Sequence, residues 1–209
     1  MADVEQMFHQ VGVCEEDRDL LRFLWRDLDE TDEWYGFHRG EYQGVQLHVF
    51  CNASGMAYGA VAYFQTISHG HVNVSSITSK TRLAPIKTLS IPRLELQAAV
   101  IAVQLKSKIL TEVDFEVDDI YLWSDSEIVL HYVRNTHRRF SVYVSHRVAE
   151  IVSTSDVKEW HHVPGSINVA DECTRGIEMC DLTPACRWIS GPTFLMLSED
   201  QWPRSERIA

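Results

Sequence analysis

The chain has 209 residues, 45% of them apolar and 23% charged, the composition of a folded domain rather than of a disordered segment. A formal net charge of -11 argues against a uniformly basic nucleic-acid binder. The longest strongly apolar run, Ala98 to Leu105, is too short to cross a bilayer, and no charged-then-apolar leader opens the sequence. Neither a membrane protein nor a secreted one is expected, and an intracellular location is.

In chain order, residues 4–11 and 17–28 read as short helical or mixed segments. From Val45 the pattern sharpens. Val45, Leu47, Val49 and Cys51 alternate with Gln46, His48, Phe50 and Asn52, the period of a strand, and 52–55 supplies a turn. Tyr58 to Gln65 reads as a second strand, 68–70 as a hairpin loop, and His71 to Ser79 as a third strand with strict alternation at Val72, Val74, Ser76 and Thr78. Pro92 marks a helix entry, and 93–110, apolar on most faces, predicts a buried helix. Ile120 to Trp123 predicts a short buried strand. Ser124 and Ser126 can cap a helix over 127–134, and Val142 to Val152 suggests another. Val157 to Val163 reads as a fifth strand, followed by a turn and a short helix near 168–175. The order is that of a mixed-sheet α/β domain.

Charge is unevenly spread. Residues 1–41 hold twelve acids and four bases, whereas 42–111 hold one acid, Glu95, and six bases. A second acid-free stretch, His131 to Ala149, carries Arg134, Arg138, Arg139 and Arg147. Taken alone, each basic stretch is a solvated face, but the asymmetry marks a junction near Gly40 to Gly44. The five cysteines are irregularly spaced and suit reduced thiols. Cys173, Cys180 and Cys186 with His161 and His162 are the raw material for a zinc site, yet their spacings suit no common zinc module, so buried or free thiols are expected.

Four polar positions fall at element edges: Asn52 at the end of the first strand, Glu95 at the start of the buried helix, Asp125 after the fourth strand and Asp171 at the last helix. Strand ends and helix starts converge on one rim of an α/β sheet, where ligands bind. Acids gathered there repel unless a cation neutralises them, and all-oxygen ligation suits Mg²⁺ or Mn²⁺, which in pairs assist phosphodiester hydrolysis. Each acid also has an ordinary alternative role as a helix cap or first-turn charge. His161 and His162 flank the fifth strand, where a histidine could serve a metal centre or simply end a strand.

Residues 47–60, Ser79 to Pro85, Pro92 to Leu96, Trp123 to Ser126 and Asn168 to Asp171 together resemble the ribonuclease H-like domain of Pao (BEL/Pao) retrotransposon polyproteins. Trp188 to Pro192, Phe194-Leu195 and Trp202-Pro203 resemble that family's following segment. The resemblance implies a ribonuclease H-like mixed five-stranded sheet with helices on both faces and an Asp-Glu-Asp-Asp metal centre. Its Glu falls on Glu95 and its second and third Asp on Asp125 and Asp171. The first Asp falls on Asn52, a degenerate position that brings no charge, so a two-ion Mg²⁺ or Mn²⁺ site is weakened. Residues 2–11, Asp17-Arg18 and 21–25 resemble the reverse transcriptase palm of the same elements, with Asp3 at its first metal-binding position.

These readings divide the chain into a palm fragment over 1–43, a ribonuclease H-like domain over 44–178 and a C-terminal extension over 179–209. The expected partner is an RNA–DNA hybrid or other nucleic acid, with Arg82, Lys87 and Arg93 near the Glu95 helix start as phosphate contacts. Self-association is also expected from a truncated palm. Three functions follow: a nucleic-acid-binding domain with impaired cleavage, an active Mg²⁺-dependent endoribonuclease of RNA–DNA hybrids, or a vestigial retroelement fragment.

Overall fold

The structure, a computed structural model, describes residues 43–86, 89–135, 139–177, 183 and 186–203. The palm-like segment with Asp3, and Lys87 among the expected phosphate contacts, lie outside the described residues. Strands β1 (Gly44–Ala53), β2 (Ala57–Ser68) and β3 (His71–Leu83) form an antiparallel meander. Helix α1 (Ile91–Glu112) leads to β4 (Asp119–Ser124), which pairs parallel to β1. Helices α2 (Glu127–Arg134) and α3 (Val142–Thr154) precede β5 (Trp160–His162), parallel to β4, and the short helices α4 (Asp171–Arg175) and α5 (Arg187–Ser190) follow. The sheet order is β3-β2-β1-β4-β5, the expected ribonuclease H-like α/β arrangement.

Because β1 is central, both its faces are buried. Val45, Leu47, Val49 and Cys51 meet α1, α2 and α3 in one core, while His48 and Phe50, both 0% exposed, face a second core with Tyr63, Tyr121 and Trp123. Helix α1 packs across this sheet because Leu96, Ala98, Ala99, Ala102 and Val103 present small and branched side chains to it. Each fully buried Leu or Val there contributes roughly 1.5–3 kcal/mol. Its one buried charge, Lys106, is paired with Glu159 at 2.7 Å.

Two expectations are corrected. The alternation of β3 is broken where the register passes from Ala62↔Thr78 to Tyr63↔Ser76, leaving Ile77 without an opposite residue. This bulge turns Ile77 into the first core while Val74 stays in the second, so one strand feeds both. The fifth strand is shorter than its apolar pattern implied. Asp156 accepts from the Lys158 amide and starts a 3-10 turn over Val157–Glu159, so pairing with β4 begins only at Trp160. The β2–β3 hairpin turns on His69 and Gly70, at φ 48 and φ 80, the left-handed pair that suits a two-residue loop.

The second face of the sheet is covered by short helical turns. Phe194, Leu195 and Trp202 enter its core, Tyr63 donates its hydroxyl to the Trp188 carbonyl at 2.7 Å, and Gln65 donates to the Leu195 carbonyl at 2.5 Å. Trp123 and Trp202 pack in this core at 0% and 6% exposure, and Trp160 packs in the first at 2%. Among the described residues no helix is long and apolar enough to cross a membrane.

Candidate functional site

Asn52, Glu95, Asp125 and Asp171 sit at the strand-end and helix-start positions their sequence context implied. Asn52 is the penultimate residue of β1, Asp125 follows β4, Glu95 lies near the start of α1 and Asp171 is the first residue of α4. The parallel pairing of β1 and β4, with Cys51 opposite Ser124, brings Asn52 and Asp125 to one edge. Asn168 fastens the fourth member. Its amide donates to the Cys51 carbonyl at 3.1 Å and its oxygen accepts from the Ala170 amide at 3.1 Å, fixing the turn that delivers Asp171.

The three carboxylates are close enough to feel one another. Burial pushes the Asp125 carboxyl above the usual range, Glu95 and Asp171 add like charge, and a hydrogen bond with Asn168 opposes the rise. Gly165 lies hard against this group, since a Cβ there would stand 3.2 Å from Asp125 Oδ2. Glu95 Oε2 accepts from the Ser126 hydroxyl at 2.6 Å, and the same hydroxyl oxygen caps α2 by accepting from the Val129 amide at 3.3 Å.

Asn52 is held in one orientation. Its Nδ2 donates to Asp171 Oδ1 at 2.9 Å, and its oxygen accepts from the Ala53 amide at 2.7 Å. Flipping the amide would put oxygen against carboxylate and leave the Ala53 N–H facing a donor. Asp171 Oδ1 also accepts from Arg175 Nε at 2.7 Å, one helical turn on. Asp171 therefore meets its charge with protein groups.

These residues do not fit a pair of divalent ions as they stand. The Asn52 position presents N–H rather than an anionic oxygen, its own oxygen is spent on backbone, and one Asp171 oxygen already takes two donors. Among the described residues no group of three or more His, Cys, Asp or Glu is set to hold a metal ion. Cys173 belongs to the second core, where burial pushes its thiol up to about 12.

His161 packs on the Tyr121 and Trp123 rings, at 5.3 and 5.2 Å, rather than joining the rim, while His162 registers with Ser124. Arg82 is exposed on the edge strand β3, in register with Tyr58. Arg93 is exposed in the first turn of α1, its guanidinium 5.1 Å from the Tyr143 ring centroid. Sequence reasoning missed Ser126 as a partner of Glu95, Asn168 as the fastener and Arg175 as a charge partner. The i,i+4 spacing of Asp171 and Arg175 was a readable signal for the last.

Residues 34–126 match the profile of the Pao retrotransposon-like RNaseH-like domain family. No curated protein matches the sequence. Similar solved structures include the N-terminal RNase H domain of a Mycobacterium tuberculosis protein, fused to maltose binding protein, at 12% identity and TM-score 0.43 over 63% of this chain and 92% of that one. RNase H1 from the halophilic archaeon Halobacterium salinarum aligns at 16% identity and TM-score 0.39, covering 62% of this chain and 96% of its own. LC11-RNase H1, solved in complex with an RNA/DNA hybrid, aligns at 16% identity and TM-score 0.41, covering 66% of this chain and 99% of its own.

Proposed function

We propose that this chain is a retrotransposon-derived ribonuclease H-like domain that binds RNA–DNA hybrid or a related nucleic acid and cleaves it poorly. The observation that carries the reading is the Asn52 carboxamide, which donates to Asp171 at 2.9 Å where a metal-bridging carboxylate would be needed. Glu95, Asp125 and Asp171 are the acids that would act on a phosphodiester, with Arg93 and Arg82 offering charge to neighbouring phosphates. An amide brings no negative charge, so three carboxylates face a task for which the related domains use four. Two divalent ions would then repel each other with less compensation between them.

The reading is tested by incubating a labelled RNA–DNA hybrid with this chain and with its Asn52→Asp variant, in Mg²⁺ or Mn²⁺. The expected result is binding by both and efficient cleavage by the variant alone. Equal cleavage by both would overturn the impairment, and Asp125→Asn should then abolish it. Failure of both to bind or cut, with both folded, would overturn the reading as a whole.

A further inference from the structure

Two basic stretches, far apart in the chain, meet on one tyrosine. Arg93 reaches the Tyr143 ring from α1, with its guanidinium carbon 5.1 Å from the centroid, and Arg147 approaches the same ring at 5.9 Å from one turn further along α3. Gln97, one helical turn after Arg93, donates to the Tyr143 hydroxyl oxygen at 2.6 Å and fixes the ring's direction. That oxygen is already an acceptor, so the phenolic proton is left to donate, and among the described residues none takes it.

Like charges gathered on one ring are not a self-satisfied arrangement. A surface cation–π contact is weak, and repulsion between two guanidinium groups opposes it. The acid beside the pair is Glu150, which accepts from Arg147 Nη1 at 3.1 Å and also from Gln104 at 2.8 Å, so its charge is shared. Arg147 remains 37% exposed and Arg93 is exposed. The cluster presents two guanidinium groups and one hydroxyl proton, all donors, which is the chemistry of a phosphate contact.

Its place in the fold gives it a use. Arg93, Glu95 and Gln97 lie on the first two turns of α1, so the donor cluster and the carboxylate rim flank the same helix start. We infer that Arg93, Tyr143 and Arg147 form a backbone-binding station for the nucleic acid whose phosphodiester meets the rim, holding a phosphate away from Glu95. This rests on the nucleic-acid reading and extends it to α3, whose basic stretch looked like a plain solvated face in the sequence.

The test is fluorescence anisotropy of a fluorescein-labelled RNA–DNA hybrid in EDTA over a salt series, using the whole chain and its Arg147→Gln and Tyr143→Phe variants. Circular dichroism and melting temperature confirm that each variant is folded. Arg147→Gln is expected to weaken binding several-fold and to reduce the slope of log affinity against log salt by about 1. Tyr143→Phe keeps the ring but removes the proton, so it is expected to weaken binding about two- to five-fold with the slope unchanged. If the parent chain binds and both variants match it in affinity and slope, the station is overturned while the nucleic-acid reading stands. If the parent chain does not bind, both fall together.

Discussion

Asn52 donates its side-chain amide to Asp171 Oδ1 at 2.9 Å while accepting from the Ala53 amide at 2.7 Å, a geometry no carboxylate could adopt. A carboxylate in its place would lose the donor and add a like charge beside Asp171 and the already raised Asp125. The asparagine thus relieves the rim electrostatically and withdraws the oxygen a cation would use.

It follows that Asn52→Asp destabilises the metal-free protein. The lost hydrogen bond and new repulsion are expected to cost roughly 1–3 kcal/mol. Mg²⁺ or Mn²⁺ should restore part of that loss in the variant and leave the parent chain's melting temperature nearly unchanged. Thermal melts in EDTA and in divalent metal check this, and an identical metal response in both proteins would count against it.

Asp125→Asn should have the opposite sign. Burial raises this carboxyl in the folded state, so its contribution is present below the usual carboxylate range and is lost as pH rises through the raised value. The variant is expected to melt higher than the parent chain at pH 7, with the difference closing near pH 3. Melting curves at the two pH values decide it.

The Ser126 hydroxyl serves two partners, capping α2 and bonding Glu95 at 2.6 Å. Ser126→Ala is expected to cost about 1–2 kcal/mol in urea unfolding, and Ser126→Thr much less. Equal losses for both would show that the hydroxyl matters for neither contact.

His48 supplies an acid-sensitive element. It is 0% exposed, takes the Trp123 indole proton at Nδ1 over 3.2 Å and so donates from Nε2 to Gln65 Oε1. Burial lowers its pKa to about 3. Between about 6.5 and that value the unfolded chain holds a proton that the native state refuses, so stability falls as pH drops, by up to about 1.4 kcal/mol per unit. His48→Asn should flatten that limb while lowering stability at pH 7. Urea unfolding at pH 7, 5 and 4 tests it.

Leu195 is fully buried on the second face, and its neighbour Met196 is 47% exposed. Leu195→Ala is expected to cost about 2–5 kcal/mol and Met196→Ala under about 0.5 kcal/mol. Similar small effects would mean that the C-terminal turns are loosely attached. Gly191 belongs to the same seam, since at φ 77 an added Cβ would stand 2.7 Å from Val74 Cγ1.

The order of strands and helices was legible because side-chain direction follows backbone period, and β1, α1, β4 and α2 each carry a clear one. The edge positions of Asn52, Glu95, Asp125 and Asp171 were legible for the same reason, since each stands where a periodic segment starts or stops. Short segments read less well. The bulge at Ile77 and the 3-10 turn before Trp160 depend on a partner strand and on one aspartate side chain, which overrode the apolar pattern.

By itself, then, the sequence determined the element order, the buried helix and the place of Asn52 at a strand end, all of which are written in local residue pattern. Only the tertiary structure decided which way Asn52 faces, what covers the second side of the sheet, and that Arg93 and Arg147 share a ring. Asn52 meets Asp171 across 119 residues and Gln65 meets the Leu195 carbonyl across 130. Contacts of that separation arise when packed faces close on each other, and local periodicity, which specifies a face but not its partner, does not encode them.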